Sequence, residues 1–457
     1  MNIIQELISK FFKGQSRSIK AKKNIIGSFA IKGVSILIGF LMIRITLDYL
    51  DQEIYGVWLT LSSFVAWFSF FEIGLGNGLK NKLAKSLAEK DYEQGKIYVS
   101  TTYAILTIII VAVSLLFLIV NLFLDWTVIL NTDRSLYKEL NVVSYIVFGF
   151  FFMQFVLKLI STILFADQRP AIAGLFGPIG NVVSVLIIFI LTKTTEGSLV
   201  YLAWVLSLVP TLTLIVASFY FYHNSYHKIA PSIQYVKFEY AKELFNLGFK
   251  FFLIQISMIV LFQSSNIIIA QFYGPEEVTS FNIAFKYFSV IMMAFSIIMT
   301  PFWVAFTDAW VLEDMNWIKK SIKNLFLIWI GFVIISIILY FISDWFFSFW
   351  LGKEKMEHII ISNRLKIAMI FYFVLLTFGG IFNMFINGVG KISIQMYSLL
   401  IGALLFVPIS YFFIKQLNWG IESVVIASIF ANFYSPFVAP IQYYLLINKK
   451  ANGIWNK

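Results

Sequence analysis

The chain has 457 residues, 60% of them hydrophobic and 13% charged, with 35 Lys and Arg against 24 Asp and Glu, a net charge of +11 and no cysteine. Soluble chains carry about 25% charged residues, so a water-bathed globule is excluded. The absence of cysteine excludes disulfides, thiol chemistry and Cys-zinc sites, and the basic excess is scattered rather than gathered into the basic face that a nucleic-acid partner requires.

The apolar runs are continuous rather than alternating, which predicts helices and not a barrel. A run of about 20 such residues crosses the ~30 Å bilayer core, and a helix satisfies its own backbone groups there. The fold class expected is an all-α polytopic membrane protein, with about 12 transmembrane helices in two six-helix lobes around a central cavity.

Residues 1–24 come first. Ile3, Ile4, Leu7, Ile8, Phe11 and Phe12 recur at helical spacing, with Lys10, Lys13, Arg17, Lys20, Lys22 and Lys23 among or after them. The pattern predicts a basic amphipathic helix on the cytoplasmic leaflet, drawn to anionic lipid. No cleavable signal peptide is visible, so the first span is expected to direct insertion.

Spans are predicted at 25–47, 54–76, 97–124, 142–166, 171–192 and 198–222, forming an N-terminal lobe over 25–222. A polar cytoplasmic linker, 223–247, follows. Six more spans, at 248–272, 280–306, 323–350, 366–388, 393–414 and 420–447, form a C-terminal lobe over 248–447, and 448–457 is a cytoplasmic tail. With both termini in the cytoplasm, 23 of the 35 Lys and Arg fall in cytoplasmic segments and 8 in external ones. This is the asymmetry that orients membrane proteins. Abundant Ile, Phe, Lys and Asn fit an AT-rich bacterial genome, so a bacterial cytoplasmic membrane is expected.

The halves resemble each other at an offset of 224: Leu50-Asp51-Gln52-Glu53-Ile54 aligns with Gly274-Pro275-Glu276-Glu277-Val278, each a tight acidic turn after the first span of its half. Six spans per half make the repeat parallel, the layout of a transporter that works by alternating access. Pro210, Pro301, Pro408, Pro436, Pro440 and the Gly379-Gly380 pair interrupt spans where a helix can kink.

Five ionisable residues fall inside spans: Lys32, Arg44, Glu72, Lys158 and Lys286. A charge in lipid costs several kcal/mol, so such groups face a cavity or a partner. Lys32, Arg44, Lys158 and Lys286 are therefore candidates for a cationic cavity that suits an anionic substrate, and Glu72 is a possible charge partner. Arg44, one turn from the outer face, can also snorkel to the surface. Gln154, Gln263, Asn266, Asn383 and Asn387 are candidate polar lining, since amides offer the donors and acceptors that sugar hydroxyls need. They serve equally well as hydrogen-bond links between helices.

No GxxxxGK[ST] loop occurs, so ATP hydrolysis is not expected. His223 and His227 lie four apart in a basic loop without nearby carboxylates, so neither a metal nor a cofactor is expected. The short external loops carry no Ser-His-Asp or paired-carboxylate site, which favours secondary transport over catalysis.

Residues 55–91, from Tyr55-Gly56-Val57-Trp58 through Glu72-Ile73-Gly74-Leu75-Gly76, resemble the polysaccharide transporter, or O-antigen flippase, family of the multidrug/oligosaccharidyl-lipid/polysaccharide (MOP) exporter superfamily. The Leu164–Pro170 turn (LFADQRP) also resembles that family. The resemblance implies a non-enzymatic flippase for undecaprenyl-pyrophosphate-linked oligosaccharides in O-antigen, capsule or exopolysaccharide assembly. Membrane lipid surrounds it, and a polysaccharide polymerase and chain-length machinery are possible partners. Two other readings stay open at this point: a multidrug-type cation antiporter, which would want buried carboxylates, and a membrane enzyme acting on polyprenyl-linked sugar.

Overall fold

The computed structural model describes residues 16–67, 75–167, 169–242 and 249–456. Glu72 and the apolar positions 3–12 lie outside the described residues. The described chain is helical from end to end: α1 (Ser16–Tyr49), α2 (Gln52–Trp67), α3 (Leu75–Ala88), α4 (Tyr92–Asn121), α5 (Trp126–Leu130), α6 (Tyr137–Leu157), α7 (Leu159–Ala166), α8 (Pro170–Ala173), α9 (Phe176–Thr194), α10 (Leu199–His223), α11 (Phe249–Tyr273), α12 (Pro275–Val311), α13 (Met315–Leu351), α14 (Lys353–His358), α15 (Asn363–Val389), α16 (Ser393–Lys415), α17 (Glu422–Ala431) and α18 (Ala439–Ile447). Among the described residues, nine helical stretches are long and apolar enough to cross a membrane, or ten when the bent pair 422–431 and 434–447 is one span. The first predicted span lies within α1, and α2 covers the second as far as Trp67, beyond which residues 68–74 lie outside the described residues. Residues 16–24 continue into α1 without a break.

The helices group into two compact units that interleave along the chain, where sequence alone suggested contiguous halves. The first contains residues up to Ile45, Phe71–Phe123 and Tyr145–Gly248. Here α3 packs on α4 and α7, and α9 on α10. Leu79, Leu83, Leu106, Ile160 and Leu164 are fully buried. Asp91 caps α4 by accepting from the Gln94 N–H at 3.0 Å.

Segment 224–242, expected as a linker, is an ordered strap along α4. The Ser232 N–H donates to Ser100 Oγ at 3.0 Å and the Lys237 N–H to Thr101 Oγ1 at 3.0 Å. Lys96 lies over the Tyr235 ring at 4.4 Å and Lys228 over Tyr92 at 4.8 Å, each a cation–π contact. Tyr226 donates to Asp167 Oδ2 at 2.8 Å, and Arg169 holds the same carboxylate at 2.9 Å. Burial, then the hydrogen bond to Asp167, push the Tyr226 phenol up.

The second unit contains Thr46–Phe70, Leu124–Ser144 and Phe249–Lys457. Its α2 packs on both α11 and α12, α12 lies on α15, and α11 lies on α16. The repeated turns seen in the sequence meet here. Gln52 Nε2 donates to the Glu276 carbonyl at 3.0 Å, and Thr279 Oγ1 donates to the Gln52 carbonyl at 2.7 Å. Gly56 permits this approach, since a Cβ there would overlap the Pro275 backbone.

The last span bends by 44° between α17 and the helix beyond it. The bend falls at Asn432–Phe433, and a π-turn over Tyr434–Val438 follows it. Pro436 accounts for the bend, because it supplies no N–H to the Asn432 carbonyl four residues before it and its ring crowds that carbonyl. Gly379 of α15 lies against this turn so closely that a Cβ would overlap Ser435. Phe295, Met299, Phe306, Ile381, Phe385 and Tyr434 form the adjoining core. Toward the other end of α15, Lys366, 3% exposed, reaches Asp344 of α13 at 2.7 and 2.9 Å.

Candidate substrate cavity

The run Gln263-Ser264-Ser265-Asn266 sits midway along α11, where apolar residues would otherwise continue. It turns Gln263, Ser265 and Asn266 toward α12, α15 and α17. With Phe281, Asn282 and Phe285 of α12, Met369 and Tyr372 of α15, and Val425 and Ser428 of α17, these residues line a cavity of about 350 Å³ within the second unit.

A hydrogen-bonded chain orders the amides. Asn282 Nδ2 donates to Asn266 Oδ1 at 2.8 Å, and Asn266 Nδ2 donates to Ser63 Oγ of α2 at 2.8 Å. Ser63 in turn donates to the Leu59 carbonyl at 3.0 Å, and Asn282 also reaches the Val278 carbonyl at 2.8 Å. Asn266 and Asn282 are thereby fixed in orientation, and the wall combines amides and hydroxyls with apolar side chains and carries no net charge. No carboxylate lines this cavity among the described residues. Nor do three or more His, Cys, Asp or Glu cluster there in a way that could hold a metal.

The other predicted site residues are dispersed. Lys32 and Arg44 are exposed on α1, and Lys158 is exposed at the break between α6 and α7. All three belong to the first unit, as does Gln154, whose Nε2 donates to the Ser207 carbonyl of α10 at 3.0 Å. Lys286 belongs to the second unit, half-buried one turn along α12 from Asn282. Asn383 donates to Ser435 Oγ at 3.0 Å, while its Oδ1 is buried without a hydrogen-bond partner. Asn387 lies one turn further on, half-buried, and its carbonyl accepts the Gly390 N–H at 3.2 Å.

Gln263 and Asn266, singled out in the sequence, line this cavity together with Asn282, Tyr372 and Ser428, which were not, and Ser63 joins them through Asn266. Asn282 carried a usable signal: it precedes Lys286 by four, so the two share a helix face. Tyr372 and the serines carried none, since both types are common in membrane helices.

No protein-family model matches the chain. Among solved structures, it superposes on a multidrug-resistance MATE-family transporter of the MOP superfamily, solved in an inward-facing conformation. The TM-score is 0.77 at 13% identity, over 94% of this chain and 100% of that one. The chain has the MOP-superfamily fold. A Pyrococcus furiosus MOP-superfamily transporter, described as having a binding pocket of reverse polarity that suggests a different function, also matches. Its TM-score is 0.61 at 15% identity, over 94% of this chain and 97% of that one. In sequence, this MOP-fold chain is 26% identical over 266 residues to a Yersinia pseudotuberculosis protein named for O-antigen export. That match spans 56% of this chain and 58% of the relative's length. It agrees with the resemblance to the O-antigen flippase branch carried by residues 55–91.

Proposed function

We propose that this protein is a flippase that carries an undecaprenyl-pyrophosphate-linked oligosaccharide across the bacterial cytoplasmic membrane by alternating access. The observation that carries the reading is the amide-lined cavity. Its Asn and Gln groups offer donors and acceptors to sugar hydroxyls, and no carboxylate of the kind a cationic drug would require lines it among the described residues. The relative named for O-antigen export supports the same cargo. In this reading both termini are cytoplasmic, and residues 25–222 and 248–447 act as the two halves of the transport cycle. Lys32, Arg44, Lys158 and Lys286 then attract the pyrophosphate, with polymerase and chain-length proteins as downstream partners. The multidrug-antiporter reading has the fold of the MATE neighbours in its favour, but the neutral cavity argues against it. An enzyme acting on polyprenyl-linked sugar has no supporting constellation among the described residues.

The test is genetic. Deleting the gene is expected to abolish surface polysaccharide and trap lipid-linked repeat units on the inner leaflet. Unchanged polysaccharide together with new sensitivity to cationic drugs would overturn the proposal in favour of the antiporter. Single Lys32→Ala, Lys158→Ala and Lys286→Ala variants at equal protein level test the cationic part. Full export by all three removes these lysines from cargo binding.

A further inference from the structure

Helices α15 and α17 form a wall with two unlike faces. Met369, Tyr372, Val425 and Ser428 face the amide cavity. Neighbouring positions on the same helices, among them Phe371, Leu375, Ile429 and Phe430, line a separate groove of about 760 Å³. Phe433 and Phe437 of the bent segment extend the groove, and Arg364, Trp419 and Glu422 sit at its mouth. From Arg364 to Leu375 the groove follows α15 for about 16 Å at 1.5 Å per residue, roughly half of the ~30 Å hydrocarbon core. Its rings are open to an occupant: Phe371 and Phe430 are each 57% exposed and Phe437 60%.

The mouth is polar and asymmetric. The Arg364 side chain is 81% exposed and stands 3.9 Å from Glu422, at the outer limit of an ion pair. Glu422 is 7% exposed and accepts the Gly420 N–H at 3.3 Å, so it stays with the backbone. The arginine is therefore the mobile member and can fork onto a phosphate. A Trp at the same level is the usual marker of the membrane interface.

We propose that this groove binds a polyisoprenyl phosphate, with the isoprenoid chain along Phe371, Leu375, Ile429 and Phe430 and the phosphate on Arg364. The inference rests on the flippase reading, because that cargo carries both parts. It adds a chain-binding site on a separate face of the same two helices. An amphipathic cargo then meets apolar and polar surfaces on one helix pair.

The experiment uses the full-length protein in phosphatidylcholine nanodiscs and a polyisoprenyl phosphate bearing a photoreactive diazirine. Label is expected on peptides 364–375 and 426–437, and undecaprenyl phosphate should displace it at least about tenfold more effectively than phosphatidylglycerol, a 1.4 kcal/mol preference. Equal displacement by phosphatidylglycerol, or label spread around the whole apolar belt, identifies ordinary bilayer lipid and overturns the proposal. The surface substitution Arg364→Gln should weaken labelling by the phosphate probe about tenfold, but not by the matching polyisoprenol. An equal effect on both probes, or none, removes the phosphate from Arg364. Leu375→Trp should block both probes by filling the groove. Normal groove labelling by a protein that fails to restore export sinks the flippase reading alone. Export without groove labelling sinks the groove alone.

Discussion

Gly379 and Gly380 are neighbours in α15, yet alanine is expected to act oppositely at the two positions. At Gly380 a Cβ meets only Phe295 Cε1 at 3.7 Å, an ordinary contact. There the substitution collects the helix-propensity gain of about 1 kcal/mol. At Gly379 the new Cβ overlaps the Oγ, O and C atoms of Ser435. Those include backbone atoms of a π-turn packed in the core, so the helices must separate. Overpacking of this kind costs about 1–3 kcal/mol, and the propensity gain offsets about 1 of it. Gly380→Ala should therefore be slightly stabilised, and Gly379→Ala should be unchanged or destabilised by up to about 2 kcal/mol, a gap of about 1–3 kcal/mol. Gly331→Ala, with nothing within 4 Å, is the control. The assay is thermal inactivation of the purified protein in detergent, followed by loss of the monodisperse peak. If Gly379→Ala melts with Gly380→Ala, α15 does not approach the bend as described, and the account of the bent span fails.

Asn266→Leu removes two links of the Asn282–Asn266–Ser63 chain. At about 0.6 kcal/mol per interhelical bond in a membrane, the loss should be near 1 kcal/mol in thermal stability, with a larger fall in polysaccharide export. Export that follows stability alone would assign the amides to packing. Gln263→Ala, whose amide lines the cavity outside that chain, should reduce export at unchanged stability in the same assays. Asp344→Asn should destabilise more than Lys366→Met, because it leaves a buried ammonium without its counter-charge, whereas the methionine removes the charge itself; detergent melting curves with the order reversed would refute this. Tyr226→Phe should loosen the strap, seen as faster amide exchange over 224–242, at a cost of about 1 kcal/mol for the lost bond to Asp167.

The helical class and most of the spans could be read from the sequence, because a run of about 20 apolar residues is a local property that the bilayer alone converts into a helix. The two turns that align in the sequence meet in the structure, where Gln52 Nε2 donates to the Glu276 carbonyl at 3.0 Å. Pro436 likewise announced a break, since a missing N–H acts within one turn. Contacts between helices distant in the chain could not be read this way. Gln154 and Gln263 are alike in sequence, yet one holds the Ser207 carbonyl and the other lines a cavity. Which face of α11 meets α12, and which face of α17 turns from polar cavity to apolar groove, depends on how the helices pack. An amide's role is set by the partner that packing brings within about 3 Å, and only the tertiary structure supplies that partner.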